Sequence, residues 1–341
     1  MDQLQDEIID LIITSPPYPM IEMWDPLFSS LNPEIQEALE TQNDKKAYHL
    51  MHEELGKIWS ECIRVLKPGG IICINIGDAT RKLNRTFQLY PNHSRINQFF
   101  QNHGFISLPC ILWRKPTNSP TKFLGSGMIP PNAYVTLEHE YILIFRKGKT
   151  KRKFPPKFEK RYNSAFFWEE RNTWFSDIWT NIKGVSQFID SANNPDLRER
   201  SAAFPLELPF RLINMYSIYN DTILDPFWGT GTTTIAAMVS GRKSIGFELN
   251  SEFKKLFEKE LAEINNLSNS LNFRRINHHL KFIKRYQKEG KDLKYTAHHY
   301  DFPVITKQEK KILLYNVKEL EKKKDKYRVY YEKFRFNSDL K

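Results

Sequence analysis

Thr222-Ile223-Leu224-Asp225-Pro226-Phe227-Trp228-Gly229-Thr230-Gly231-Thr232 passes from a short apolar segment through a turn with two glycines into a stretch that reads as a helix to Val239, closed by Gly241. Glycines at 229 and 231 let backbone approach a ligand closely, and the following helix offers its unpaired amides and positive dipole end. Ser244 to Phe247 reads as the next strand, and Glu248 follows it, 23 residues beyond Asp225. A carboxylate so placed can accept hydrogen bonds from both hydroxyls of a ribose. A lone Gly-Thr-Gly is as often a plain strand-to-helix turn, but Asp225 and Glu248 turn it into a nucleoside pocket. Neither a Gly-x-Gly-x-x-Gly run nor a Walker-type Gly-Lys-Ser/Thr loop is present, so dinucleotides and triphosphates are not indicated.

Outward from this stretch the chain alternates strands and helices. Ile8 to Ile13 is an apolar run that stops at a double proline, as a buried parallel strand does on reaching a loop. Asp44 to Leu66 carries apolar residues at helical spacing up to Lys67-Pro68-Gly69-Gly70. Strands are expected at Ile71 to Ile76, Pro109 to Trp113 and Tyr141 to Phe145, and a helix at Leu206 to Tyr219. The fold class is therefore α/β, a mixed and mostly parallel sheet with helices on both faces. After Asn250 the chain reads as mainly helical and Lys-rich.

The loop after the first strand is Thr14-Ser15-Pro16-Pro17-Tyr18. Consecutive prolines stiffen the backbone and remove amide donors, so the Ser15 hydroxyl and the Pro16 carbonyl can point outward as acceptors, with the Tyr18 ring beside them. Two acceptors in the plane of an NH₂ group, with a ring to stack on its heterocycle, suit a flipped-out adenine or cytosine. An isolated Ser-Pro-Pro-Tyr is usually a proline turn. Joined to Asp225–Thr232 it reads as an amine-gripping loop paired with a nucleoside pocket.

Composition agrees. Lys+Arg 51 against Asp+Glu 40 gives a net charge of +11, which suits a polyanionic partner. No apolar run is long enough to span a bilayer, so a membrane location is not expected and the cytoplasm is. Cys62, Cys73 and Cys110 form no CxxC pair and read as reduced thiols. Cys110 follows Pro109 but lies in an apolar strand and reads as core packing, against carbon-5 cytosine chemistry, which needs a thiolate. From Arg146 to Tyr162 there are nine Lys or Arg against the single acid Glu159, followed by aromatics at 166–168, 174–175 and 179. Lys151, Arg152, Lys153, Arg171, Trp174 and Lys183 are the candidates there for DNA contact. His278-His279 and His298-His299 lack metal-ligand spacing, and no metal is assigned.

These motifs resemble the β-arranged amino-methyltransferases of DNA, in which the catalytic half precedes the cofactor half. Thr14–Tyr18 is similar to the family's motif IV, in the serine form typical of N4-cytosine enzymes. Lys67–Gly70 with Asn75-Ile76-Gly77-Asp78 is similar to motif VI, Glu138–Phe145 to motif VIII, Ala203-Phe204-Pro205 to motif X, Asp225–Thr232 to motif I and Phe247-Glu248 to motif II. The resemblance implies a Rossmann-like class I methyltransferase of circularly permuted motif order with an inserted target-recognition region. It divides the chain into a catalytic half at 1–145, a recognition region at 146–200, a cofactor half at 201–255 and a basic helical extension at 256–341. It implies S-adenosyl-L-methionine as cofactor, held by Thr14, Phe204, Pro205, Asp225, Pro226, Phe227, Gly229, Thr230, Gly231, Thr232 and Glu248. It further implies catalysis by Ser15, Pro16, Pro17 and Tyr18, double-stranded DNA as partner, and a cognate restriction endonuclease. No residue is assigned to the acidic motif III of relatives. A monomer and a homodimer both stay open. The wider wording resembles an archaeal and bacterial branch, which suggests a short palindromic target such as CTAG. The leading expectation is N4 methylation of cytosine. N6 methylation of adenine, a silent DNA-binding regulator on the same scaffold, and RNA or small-molecule methylation are the alternatives.

Overall fold

The structure, a computed structural model, describes residues 1–115, 124–183 and 204–336. The chain forms two compact units, Met1–Lys151 with Asp177–Pro205, and Arg152–Ser176 with Leu206–Lys341. The stretch read as one recognition region, 146–200, is thereby shared between the units, and its residues 184–200 lie outside the described residues.

In the first unit, β1 (Ile9–Thr14) is buried along its whole length. It is followed by the short helices α1 (Asp25–Leu31) and α2 (Pro33–Glu40), then by α3 (Asp44–Val65), whose N-cap Asn43 accepts from Lys46 N. That side-chain oxygen satisfies one of the amides orphaned at a helix start. Met51, Leu55, Trp59 and Cys62 of α3 are buried at helical spacing. β2 (Leu66–Ile76) lies parallel to β1, with Leu11 opposite Ile71 and Thr14 opposite Ile74. The strand begins five residues earlier than the sequence suggests, because Gly69 takes φ 76° and the register slips there instead of the chain leaving the sheet. A hairpin of β3 (Ala79–Leu83) and β4 (Thr86–Tyr90), then α4 (Asn92–Asn102), lead to β5 (Phe105–Arg114). The minor pair β6 (Leu124–Gly125) and β7 (Ala133–Tyr134) precedes β8 (His139–Lys147). β8 sits antiparallel between β2 and β5, and β9 (Ile178–Trp179) runs parallel to β5. Cys110 is only half-buried, beside the register slip at Pro109, rather than in the core.

The second unit opens with α5 (Glu159–Asn163) and α6 (Trp168–Trp174), resumes with α7 (Glu207–Tyr216), and carries the parallel pair β10 (Thr222–Asp225) and β11 (Lys243–Gly246) around α8 (Thr232–Val239). Next come α9 (Glu252–Leu261) and α10 (Ile264–Lys288), the small ladder of β12 (Tyr295–Thr296) with β13 (Pro303–Val304), and a hairpin of β14 (Tyr315–Lys323) with β15 (Lys326–Lys333). The hairpin corrects the helical reading of the C-terminal extension. Its Lys and Glu residues favour helix, but half-buried Tyr327, Val329 and Tyr331 alternate with exposed positions, which is the strand period. The Tyr331 hydroxyl donates to the Met238 carbonyl at 2.8 Å.

Of the aromatics read as recognition elements, Phe167, Trp174 and Trp179 are core, while Trp168 is exposed. Phe167 is fully buried, and Trp174 is 5% exposed. Between them Glu170 accepts from the Phe167 amide, capping α6, and receives a two-pronged bond from Arg275 of α10 at 2.6 and 2.9 Å. His279, one turn on, bonds the Glu169 carboxylate and the Pro303 carbonyl and stacks on Phe167 at 4.3 Å. Glu169, His279 and Glu309 place ligand atoms within 4.8 Å of one another, yet Glu309 is already taken by the Trp168 and Thr306 amides. The grouping serves as caps and locks between segments.

Breaking one partner of a buried ion pair strands the other charge at a cost of about 3–5 kcal/mol, whereas replacing both by apolar residues costs far less. Glu170→Ala is therefore expected to lower the unfolding free energy by about that amount in urea titrations. The double change Glu170→Leu with Arg275→Met should recover most of the loss.

Candidate active site

β1 delivers the chain into Ser15-Pro16-Pro17-Tyr18 in the first unit. Thr14 is fully buried at the strand's end, and both prolines are buried. Among the described residues no donor is bonded to the Pro16 carbonyl oxygen, and Pro19, three residues on, has no amide to close a turn on it. The loop ends in a tight turn in which Ile21 N donates to Tyr18 O and Met20 takes φ 66°.

Four residues on other elements hold Tyr18 and Ser15. The Tyr18 hydroxyl donates to Glu140 Oε2 of β8 at 2.9 Å. Asn75, at the end of β2, donates from Nδ2 to the same carboxylate oxygen at 2.6 Å and to the Tyr18 oxygen at 2.8 Å. Lys115 Nζ donates to Glu140 Oε1 at 2.6 Å. Gly77 leaves room for the ring, since a Cβ there would lie 3.0 Å from Tyr18 Cε2. Burial first, then the Glu140 charge, pushes the Tyr18 phenol well above its ordinary range, so it keeps its proton.

These bonds have one consistent polarity. A carboxylate only accepts, and Tyr18 has a single proton, which Glu140 takes. Ser15 Oγ lies 3.1 Å from the Tyr18 oxygen, so the proton in that contact is the serine's own. Asn75 Nδ2 approaches Ser15 Oγ only to 3.5 Å. The Ser15 proton is thus turned inward and its lone pairs are left to accept.

A second clamp fixes the loop behind Tyr18. Asn92, fully buried at the start of α4, donates from Nδ2 to Pro19 O at 3.1 Å and Gly77 O at 3.0 Å. Its amide oxygen lies 3.0 Å from His52 Nε2. Burial lowers the His52 ring to about 4, so it is neutral and donates to Asn92.

In the second unit, β10 ends at Asp225, which is 2% exposed. Its carboxylate accepts from Phe227 N at 3.1 Å and from the Thr233 hydroxyl at 2.7 Å, tying the turn to α8. Trp228 N donates to Phe247 O and Gly231 N to Trp228 O, each at 2.9 Å. Gly231 takes φ 79° with Trp228 and Phe257 against it, so the glycine is required for both backbone and space. Gly229 also has positive φ, but a Cβ there would meet open space. Exposed Glu248 reaches back to Gly229 N at 2.8 Å and to Asn250 N at 2.9 Å. Each carboxylate oxygen retains a lone pair for a ribose hydroxyl. Pro226, Thr230 and Thr232 are buried and Phe227 is half-buried in the turn. Phe204 and Pro205, both buried, belong to the first unit, while Ala203 lies outside the described residues.

The DNA candidates separate into two groups. Lys151, Lys153, Arg171 and Lys183 are exposed, and Arg171 lies over the Phe175 ring at 4.4 Å. Arg152 is spent on a two-pronged bond to Asp221 at 2.6 and 2.9 Å, and Trp174 is a core side chain. Both leave the set of surface contacts, since composition does not separate buried from exposed aromatics. Conversely, Asn75, Gly77, Asn92, Lys115 and Glu140 carry the site and were given no role from sequence. Only the likeness of Asn75–Asp78 and Glu138–Phe145 to motifs VI and VIII marked two of these segments.

Residues 9–259 match the family of N6/N4 methyltransferases described as DNA methylase. The type II methyltransferase M.MthZI of Methanothermobacter thermautotrophicus is 54% identical over 97% of this chain and 92% of its own length. The type II methyltransferase M.MjaI of Methanocaldococcus jannaschii is 53% identical over 77% of this chain and 88% of its own. A putative DNA modification methylase of Thermus thermophilus, solved with S-adenosyl-L-methionine, superposes with a TM-score of 0.59 at 30% identity, covering 77% of this chain and 89% of that one. The cytosine-N4-specific PvuII DNA methyltransferase shares the fold at a TM-score of 0.50, with 18% identity over 78% of this chain and 88% of its own. These neighbours give the fold as the α/β class I methyltransferase.

His52 supplies a pH test of the loop clamp. Its folded value lies below the ordinary 6.5, so its contribution is complete above that value and is lost as pH falls from 6.5 toward 4. Wild-type stability should drop by up to about 3 kcal/mol across this window, and His52→Gln should flatten that part of a thermal-melt pH series.

Proposed function

Because the chain belongs to the N6/N4 DNA methylase family and is an S-adenosylmethionine-dependent DNA methyltransferase, we propose that it methylates the exocyclic N4 of cytosine in a short duplex sequence, as the modification enzyme of a type II restriction system. The likeness to M.MthZI and M.MjaI, both type II methyltransferases, supports the site-specific role and a companion endonuclease reading the same sequence. The serine form of Ser15-Pro16-Pro17-Tyr18 supports cytosine over adenine.

The single observation that carries the mechanism is that Ser15 Oγ lies 3.1 Å from a Tyr18 hydroxyl whose own proton is given to Glu140, so that the serine proton points inward. With its lone pairs outward, Ser15 Oγ accepts one amine hydrogen, and the unpaired Pro16 carbonyl accepts the other. Two acceptors draw the nitrogen lone pair out of conjugation with the ring and stabilise the positive charge that develops on nitrogen. Tyr18, fixed at its hydroxyl, presents its ring face to the flipped base. Asp225 shapes the glycine turn so that the backbone at Gly229 and the Glu248 carboxylate hold the cofactor's nucleoside. The cofactor, when bound, supplies an electrophilic methyl group on a sulfonium. The proton leaving the amine passes to Ser15 Oγ, the serine proton to the Tyr18 oxygen, and the Tyr18 proton to Glu140, which ends as a carboxylic acid beside Lys115.

Mass spectrometry of nucleosides from CTAG-containing duplex DNA treated with protein and cofactor should find N4-methylcytosine as the product. N6-methyladenine alone would overturn the cytosine reading. Ser15→Ala should slow methyl transfer on the order of 10²-fold, as removal of one preorganised polar group does, with the melting temperature nearly unchanged.

A further inference from the structure

Helix α10 runs for 25 residues without an Asp or Glu. Its inner face packs Leu271, Ile276, His279 and Ile283 into the second unit. Its outer face carries Arg274, His278, Lys281, Arg285 and Lys288, alternately four and three residues apart, with Lys284 beside them, and all are exposed. Residues at this spacing share one side of a helix, here over about 21 Å from first to last at 1.5 Å per residue.

The row has few carboxylates to pair with. Arg274 is paired with Glu207 at 2.6 Å. Among the described residues, Lys281, Lys284, Arg285 and Lys288 have no carboxylate within ion-pair distance. A groove of about 650 Å³ runs along them, lined by Glu169, Thr173, His278, Lys281, Lys284 and Arg285 among others. Its one acid, Glu169, is engaged by His279, and Glu289, just beyond the helix, is held by Lys291 at 2.6 Å. Favourable interaction with the helix dipole accounts for Arg285 and Lys288 in the last turn, but its influence fades within a turn and does not reach His278 or Lys281. Four like charges crowded without counter-charges repel one another, and that cost persists unless an anion lies across them.

We infer that the outer face of α10 is a phosphate-binding surface that grips the backbone of duplex DNA. It rests on the reading of this chain as a DNA methyltransferase and adds where the sugar-phosphate backbone is held. A row about 21 Å long is long enough to meet several phosphates where one strand passes across it. Flexible lysines on a helix suit a contact that is electrostatic and blind to sequence. Positions paired inside the fold, such as Arg152, cannot supply it.

The test measures binding of the full-length protein to a fluorescein-labelled duplex of random sequence over a KCl series, for wild type and for the variant Lys281→Gln, Lys284→Gln, Arg285→Gln, Lys288→Gln. All four positions are exposed, and an unchanged melting temperature with unchanged calorimetric binding of S-adenosylmethionine verifies an intact second unit. The variant should bind on the order of 10–10³-fold more weakly at low salt, with a slope of log affinity against log salt shallower by about 3–4, near 0.9 per lost phosphate contact. A variant with wild-type affinity and slope would overturn the α10 surface while leaving the DNA reading intact. Wild-type protein that fails to bind duplex DNA, or prefers duplex RNA of the same length, would overturn both.

Discussion

The carboxylate of Glu140 is the interaction on which the catalytic half depends. It is 6% exposed, and it accepts from Lys115, Asn75 and Tyr18 at 2.6, 2.6 and 2.9 Å. A buried carboxylate is costly unless every lone pair in reach is used and an opposite charge stands beside it. Here those requirements also set a direction. Because Glu140 can only accept, Tyr18 must donate to it, Ser15 must donate to Tyr18, and the serine oxygen facing outward can only accept. A loop that by composition could donate or accept is left with accepting atoms facing outward, as the proposed grip on an amine requires.

The two units fix their loops by different physical means. The first holds a rigid loop whose polar atoms are oriented by buried hydrogen bonds, at Asn92 and His52 as well as at Glu140. The second holds a turn whose shape is set by close approach, with Gly231 pressed between Trp228 and Phe257 and Asp225 tied to Thr233. Its periphery is where charge is left over. Inside it the ion pairs are closed, as with Arg152 and Asp221 or Arg275 and Glu170, while the outer face of α10 is not.

Legibility from sequence followed the distance over which each feature is encoded. Ser15–Tyr18 and Asp225–Thr232 are contiguous, so strand, turn and chemistry could be read together, and Glu248 followed from one strand further on. The residues that hold the Ser15–Tyr18 loop come from β2, α4 and β8, with Glu140 lying 122 positions from Tyr18. Nothing local in Asn75, Lys115 or Glu140 announces a shared carboxylate. The aromatics at 166–175 were visible as a cluster, but whether they faced solvent depended on Arg275 and His279, a hundred residues later. The C-terminal hairpin was hidden by its Lys and Glu content, although Tyr327, Val329 and Tyr331 carried the strand period.

In the proposed mechanism Glu140 acts on the reaction through the Ser15 proton. A double-mutant cycle in single-turnover methyl transfer measures this, using Ser15→Ala, Glu140→Gln and the pair together. Residues that act as one unit lose their effects non-additively. The prediction is that each single change slows transfer strongly and that the pair is no slower than Ser15→Ala alone. Fully additive losses, with Glu140→Gln slowing the Ser15→Ala protein as much as it slows wild type, would contradict it.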